Sequence, residues 1–175
     1  KVIKSEKTNF IINGLKKHLK FLETNETFNN NDDSEIGAYL LNPLKDTYQY
    51  DDLSRDYLDL TLPSVSELLG KNTPEKLYEE HYEDFLSYVS YQALIPLMAF
   101  PKIREELTNT EQLSLYNEIE IPLIYSLNRM ENVGVMVEKE ALAKYGQVLG
   151  EKITVLESEI YELVGEEFNI NSPKQ

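Results

Sequence analysis

Apolar residues recur at steps of three and four along most of this chain, the spacing that lays a stripe down one side of an α-helix. The clearest run is Leu142, Tyr145, Leu149, Ile153, Leu156, Ile160 and Leu163, stopped by Gly165. It predicts one amphipathic helix of about seven turns. Before it, Leu113, Tyr116, Ile119, Leu123, Leu127 and Met130 predict another helix. The Thr108-Asn109-Thr110-Glu111 box would cap that helix, Pro122 would bend it and Asn132-Val133-Gly134 would end it. Val135-Met136-Val137 then reads as a brief strand. Further upstream, Thr73-Pro74 supplies a cap and a first-turn proline for a long helix carrying Tyr78, Tyr82, Phe85, Val89 and Ala93. Pro96 and Pro101 are expected to kink or break it.

The first third of the chain is less regular. Thr8-Asn9-Phe10-Ile11-Ile12 reads as a strand that turns at Asn13-Gly14 into a short helix with Leu15, Leu19 and Leu22. Asn25 to Asp33 reads as a polar loop. Asp33 or Ser34 would then cap a helix presenting Ile36, Tyr39 and Leu40, stopped by Asn42-Pro43. A further short helix is expected near Asp52–Leu58, burying Leu53, Tyr57 and Leu58. Ser64-Val65-Ser66-Glu67 is a capping box for a single turn that ends at Gly70. The pattern as a whole predicts an α+β, predominantly helical protein with minor strand content.

Composition narrows the chemistry. The 175 residues are 41% hydrophobic and 27% charged, which is a globular balance and excludes wholesale disorder. There is no cysteine, so disulfides, thiolate metal sites and cysteine nucleophiles are excluded. His18 and His81 are the only histidines, too few for a three-histidine zinc site. No apolar run approaches the roughly 20 residues that span a bilayer, and no signal-peptide pattern opens the chain, so a cytoplasmic protein is expected. Lys1 in place of Met points to a processed, trimmed or excerpted chain. The net charge of −14 argues against the whole surface gripping a phosphate backbone. The charge is uneven, however: residues 1–22 hold six lysines against Glu6 alone.

Carboxylate clusters at Asp32-Asp33-Ser34-Glu35 and Asp51-Asp52 have the chemistry to ligate Mg²⁺ or Ca²⁺. Both sit at expected helix starts, where capping and the helix dipole explain acids more simply. Glu79, Glu80, Glu83 and Asp84 read as a solvated helix side. The histidines are isolated, no nucleophile elbow or Gly-rich phosphate loop occurs, and most of the twelve tyrosines fall on apolar stripes. By themselves, these residues specify no reaction.

Longer strings carry more. Asn117-Glu118-Ile119-Glu120-Ile121-Pro122-Leu123 and Leu127 to Val135 (LNRMENVGV) resemble the opening of the polymerase domain in family A DNA polymerases of the bacterial DNA polymerase I type. The likeness continues to Gly165-Glu166-Glu167-Phe168-Asn169-Ile170-Asn171-Ser172-Pro173-Lys174-Gln175, which in that family leads to the next thumb helix. Upstream, Ala38-Tyr39-Leu40-Leu41-Asn42-Pro43 resembles a helix of the preceding 3′–5′ exonuclease domain. The resemblance implies a polymerase fragment. Residues 1–109 would be a partial, degenerate exonuclease-like domain of ribonuclease H-like fold, and residues 110–175 the start of the polymerase domain, with long helices at the thumb base. It also implies DNA as the parent's partner and Mg²⁺ as the parent's cofactor, with the palm carboxylates and nucleotide-binding fingers lying beyond Gln175.

The same resemblance bears on the exonuclease chemistry, in which clustered carboxylates hold two metal ions. The family's Asp-x-Glu would lie upstream of Lys1. Its Asn-x-x-Tyr-Asp motif matches Gly14-Leu15-Lys16-Lys17-His18, with His18 in place of the Asp. Its Tyr-x-x-x-Asp motif matches Tyr88-Val89-Ser90-Tyr91-Gln92, where Tyr88 is kept and Gln92 replaces a metal-binding Asp. An inactive exonuclease-like domain retained as scaffold is therefore expected, without metal or catalytic residues, and binding DNA weakly at most. Two other readings stand beside it. One is an active metal-dependent exonuclease using substitute carboxylates such as Asp33 or Asp84. The other is a free-standing helical interaction protein whose Leu142–Leu163 seam takes a partner.

Overall fold

At Asn13-Gly14 the chain turns from a strand into a helix, and Gly14 makes the turn with φ of +76°, a backbone state that a side chain disfavours. The computed structural model describes residues 8–22, 27–172 and 174. Strand β1 (Phe10–Ile12) precedes this turn and α1 (Leu15–Leu19), extended by a 3₁₀ turn at Lys20–Leu22, follows it. Strand β2 (Asn31–Asp33) pairs parallel with β1, in the register Phe10–Asn31, Ile11–Asp32 and Ile12–Asp33. The helices α2 (Ser34–Leu41), α3 (Tyr50–Leu58), α4 (Val65–Leu69) and α5 (Pro74–Glu80) follow. Next come the long α6 (Tyr82–Asn109), the single turn α7 (Leu113–Leu115), a π-helical turn at Tyr116–Glu120 and α8 (Ile121–Val133). A separate compact unit begins at Gly134 and contains α9 (Lys139–Val164). The predominantly helical, α+β expectation holds.

The first unit is organised on α6. Ile95, Ala99, Phe100, Ile103 and Leu107 form its buried side, against Tyr50, Leu53 and Tyr57 of α3, Ala38 of α2 and Tyr116. A smaller cluster joins Leu15 and Leu19 of α1 to Ile124 and Tyr125 of α8. Helix α2 buries Ser34, Gly37 and Ala38 most deeply; of the expected Ile36–Tyr39–Leu40 side, Ile36 and Leu40 are half-buried against the core and Tyr39 is exposed. The reason is close approach. A Cβ added at Gly37 would lie 2.6 Å from Ile103 Cγ2, so only small residues fit between α2 and α6.

Asp33 ties the amino-terminal elements together. Its Oδ1 accepts from the amides of Gly14 (3.0 Å), Glu35 (2.9 Å) and Ile36 (3.3 Å), and its Oδ2 from the amide of Leu15 (2.7 Å). One carboxylate thus caps both α1 and α2. The Asp33 amide in turn donates to the Tyr116 hydroxyl at 2.7 Å, and that hydroxyl donates back to the Asp33 carbonyl at 3.1 Å. Both Asp33 and Tyr116 are fully enclosed. Burial pushes the Asp33 carboxyl above the ordinary carboxylate range, against the opposing pull of the Gly14, Leu15 and Ile36 amides.

Several sequence expectations give way to context. The polar stretch up to Asp33 contains β2 rather than loop alone, because its side chains find partners: Asn31 donates to Tyr125 Oη at 2.7 Å and Asp32 accepts from Asn9 at 2.8 Å. Asn25 and Glu26, like the lysines at positions 1, 4 and 7, lie outside the described residues. The helix begun at Pro74 breaks at His81 (φ −141°, ψ 66°), whereas Pro96 and Pro101 lie inside an unbroken α6. Each proline withholds the amide that would reach the carbonyl four residues earlier, and neither ends the helix. Thr108–Glu111 starts no helix, since α6 runs to Asn109 and Thr110 closes its C-terminal end. Thr108 and Thr110 instead donate back to the Arg104 and Glu106 carbonyls, both at 2.8 Å.

The π-helical turn explains another difference. A turn closed by i to i+5 bonds holds an extra residue, which rotates everything after it relative to an unbroken stripe. Tyr116 is buried as expected, but beyond the turn the inward side is Ile124, Tyr125 and Asn128, while Ile119, Leu123, Leu127 and Met130 are exposed. Val135-Met136-Val137 pairs with no strand among the described residues. The predicted stops Gly70, Gly134 and Gly165 all have positive φ.

Two measurements check this account. Asp33→Ala strands the amides of two helix starts and is expected to cost about 2–4 kcal/mol in urea unfolding followed by circular dichroism. Asp52 gives a pH-dependent case. Burial raises its pKa, but hydrogen bonds from Thr47, Arg55 and the Gln49 amide, with the charge of Lys45, outweigh that and hold the carboxyl below its ordinary value. A carboxylate with a lowered folded-state pKa stabilises the fold above its unfolded pKa and loses that contribution as pH falls through the folded value. Asp52→Asn should therefore be less stable than the parent at pH 7, with the difference closing below about pH 4.

Candidate functional site

The turn at Asn13 and the middle of α6 bound a groove of about 640 Å³. It is lined by Ile11, Ile12 and Asn13 from β1 and its turn, Lys17 and His18 from α1, Gln49, and Tyr88, Val89, Gln92 and Ala93 from α6. The three residues singled out in the sequence, His18, Tyr88 and Gln92, thus meet in one place. Helix geometry accounts for part of this, since Tyr88 and Gln92 are four residues apart and share a side of α6. Asp33 accounts for the rest by holding the first turn of α1 against the sheet, which carries Lys17 and His18 to the groove.

The polar groups there are amides, a phenol, an imidazole and an ammonium. His18 Nδ1 lies 3.0 Å from the Gly14 carbonyl and donates to it. Lys17 Nζ is paired with Glu35 at 2.9 Å. Asn13 donates to the Tyr48 carbonyl at 2.9 Å and accepts from Ser34 Oγ at 2.8 Å, so its amide is fixed by the scaffold. Asn13 and Gln49 were not singled out in the sequence as site residues. The Asn13-Gly14 turn was the available signal, because a residue at a strand-to-helix turn projects from the end of the sheet.

None of the ten lining residues is a carboxylate. Divalent ions such as Mg²⁺ take oxygen ligands with at least one or two carboxylates, and a nearby lysine opposes them, so these residues do not fit the ion. Asp33 has no spare capacity for a metal, being buried and committed to backbone amides. Asp84 is exposed on α6 and is not among the lining residues. A second cavity of similar volume contains Asp32, whose carboxylate accepts from Asn9 and lies 3.9 Å from the Arg104 guanidinium. Among the described residues, no group of three or more histidine or acidic side chains is placed to hold a metal. No described helix is long and apolar enough to cross a membrane.

The chain is homologous to a segment of a DNA polymerase. The relatives are bacterial DNA polymerase I: that of Bacillus subtilis is 37% identical over 147 residues, covering 82% of this chain and 16% of the relative. That of Treponema pallidum is 30% identical over 143 residues, covering 82% and 14%, and that of Caldicellulosiruptor bescii is 29% identical over 162 residues, covering 90% and 16%. The chain therefore spans about one sixth of the length of these relatives. No protein-family model matches it.

A groove without carboxylates offers Mg²⁺ no oxygen ligands of the kind it prefers. Millimolar Mg²⁺ or excess EDTA is expected to leave the thermal unfolding midpoint unchanged, since only a ligand that binds the native state shifts it.

Proposed function

We propose that this chain is part of a DNA polymerase that synthesises DNA on a template in replication or repair, and that it serves the enzyme as scaffold. In this reading residues 1–109 are the later part of a 3′–5′ exonuclease-like domain of ribonuclease H-like fold that no longer cleaves. Residues 110–175 open the polymerase domain, with α9 at the base of the thumb. Primer–template DNA is the partner of the whole enzyme in the cytoplasm, and Mg²⁺ and nucleotides belong to parts outside this chain. The chain itself, at a net charge of −14, holds DNA weakly at most.

The observation that carries the reading is the groove. Homology to bacterial DNA polymerase I supports the parentage. His18 and Gln92 support the loss of cleavage, because they face one groove with Tyr88 and none of its lining residues is an acid that could hold the ions that would activate water. Asp33, the substitute carboxylate an active nuclease would need, is engaged as a double helix cap.

A 5′-labelled single strand incubated with this chain in Mg²⁺ or Mn²⁺ is expected to keep its length. Shortening that EDTA abolishes, and that survives repurification, would sink the inactive-domain reading.

A further inference from the structure

We propose that the elbow between α5 and α6 is a docking surface for an arginine-bearing basic segment of a partner protein. Three aromatic rings meet there, two of them exposed. Tyr78 of α5 stands edge-on to Tyr82 and Phe85 of α6, with ring centroids 5.6 Å and 5.2 Å away, and the Tyr82 and Phe85 rings lie 6.4 Å apart at 26°. Seven residues of continuous helix would set Tyr78 and Phe85 about 10 Å apart along the axis. The break at His81 brings them into contact. Tyr78 and Tyr82 are nonetheless 55% and 52% exposed, so about half of each side chain still faces solvent.

The charges next to the rings in sequence indicate what would cover them. Glu79, Glu80, Glu83 and Asp84 are all exposed and stand between or beside the three aromatics in sequence. Among the described residues the one cation paired with any of them is Lys76, 3.6 Å from Glu80. An aromatic face carries negative charge density and attracts cations, guanidinium more often than ammonium. The carboxylates add to that attraction. They also repel phosphate, which disfavours a nucleic-acid strand stacking its bases here, and they would resist burial under a purely apolar partner. A flat cation satisfies both halves of the surface: arginine stacks on the rings while its donors reach carboxylates. This inference does not depend on the polymerase reading or on the groove.

The test is calorimetric titration of the chain with a short peptide of alternating arginine and glycine. Saturable binding is expected, and the Tyr78→Ala/Tyr82→Ala variant should weaken it by about tenfold or more, while Tyr82→Phe retains it. Circular dichroism should show the helix content unchanged. Glu79→Gln/Glu83→Gln, which keeps the rings, should also weaken binding. Glu159→Gln/Glu162→Gln removes the same charge from α9 and should not. If the peptide does not bind, if the tyrosine variant binds like the parent, or if the α9 variant loses as much, the surface is not a selective site and the proposal fails. Tyrosine-dependent binding of a single-stranded oligothymidine would overturn it in favour of base stacking.

Discussion

Backbone amides from two helix starts, far apart in sequence, converge on the Asp33 carboxylate, and the arrangement of β1, α1, β2 and α2 depends on that convergence. The start of a helix carries unpaired donors and a partial positive charge, so a carboxylate placed there is stabilised by both. Two such starts sharing one acid offset part of the cost of burying it. Two strands of three residues each would be a marginal sheet alone. With Asp33 at its end the sheet has a fixed register and both following helices have fixed directions. The groove inherits its shape from this, because Lys17 and His18 reach it only through the anchored first turn of α1.

Legibility in the sequence followed the range of the interactions. Local ones were readable. Asp33 as a cap, the Ser64–Glu67 box, Thr73-Pro74 at the start of α5, the extent of α9 and the glycine stops all depend on residues within one turn, and all are present. Tertiary context decided the rest. Strand β2 has no strand propensity and exists because β1 and Tyr125 offer partners. The small residues buried in α2 reflect the closeness of α6, which a hydrophobic pattern cannot express. The π-helical turn changed the face of α8 without altering a single apolar residue, so the stripe was right up to Tyr116 and out of phase after it.

The site shows the same division. Periodicity and composition singled out no reaction, and the positions of His18, Tyr88 and Gln92 emerged only through longer strings shared with a family. The structure places these three together, which spacing alone could not have shown for residues seventy positions apart. Asn13 was hidden for the opposite reason: its role as a turn former was visible, and that local explanation was sufficient until the groove was seen beside it.

The Tyr116 hydroxyl has a consequence for how the sheet can associate. In a strand, the N–H and C=O of one residue point to the same edge. By engaging both groups of Asp33, a single phenol occupies the hydrogen-bonding position that a neighbouring strand would need at the end of β2. The side chains along β2 are Asn31, Asp32 and Asp33, a composition that discourages edge-to-edge stacking. At its Asp33 end the free edge of β2 is thus closed to a further strand by a side chain rather than by more backbone.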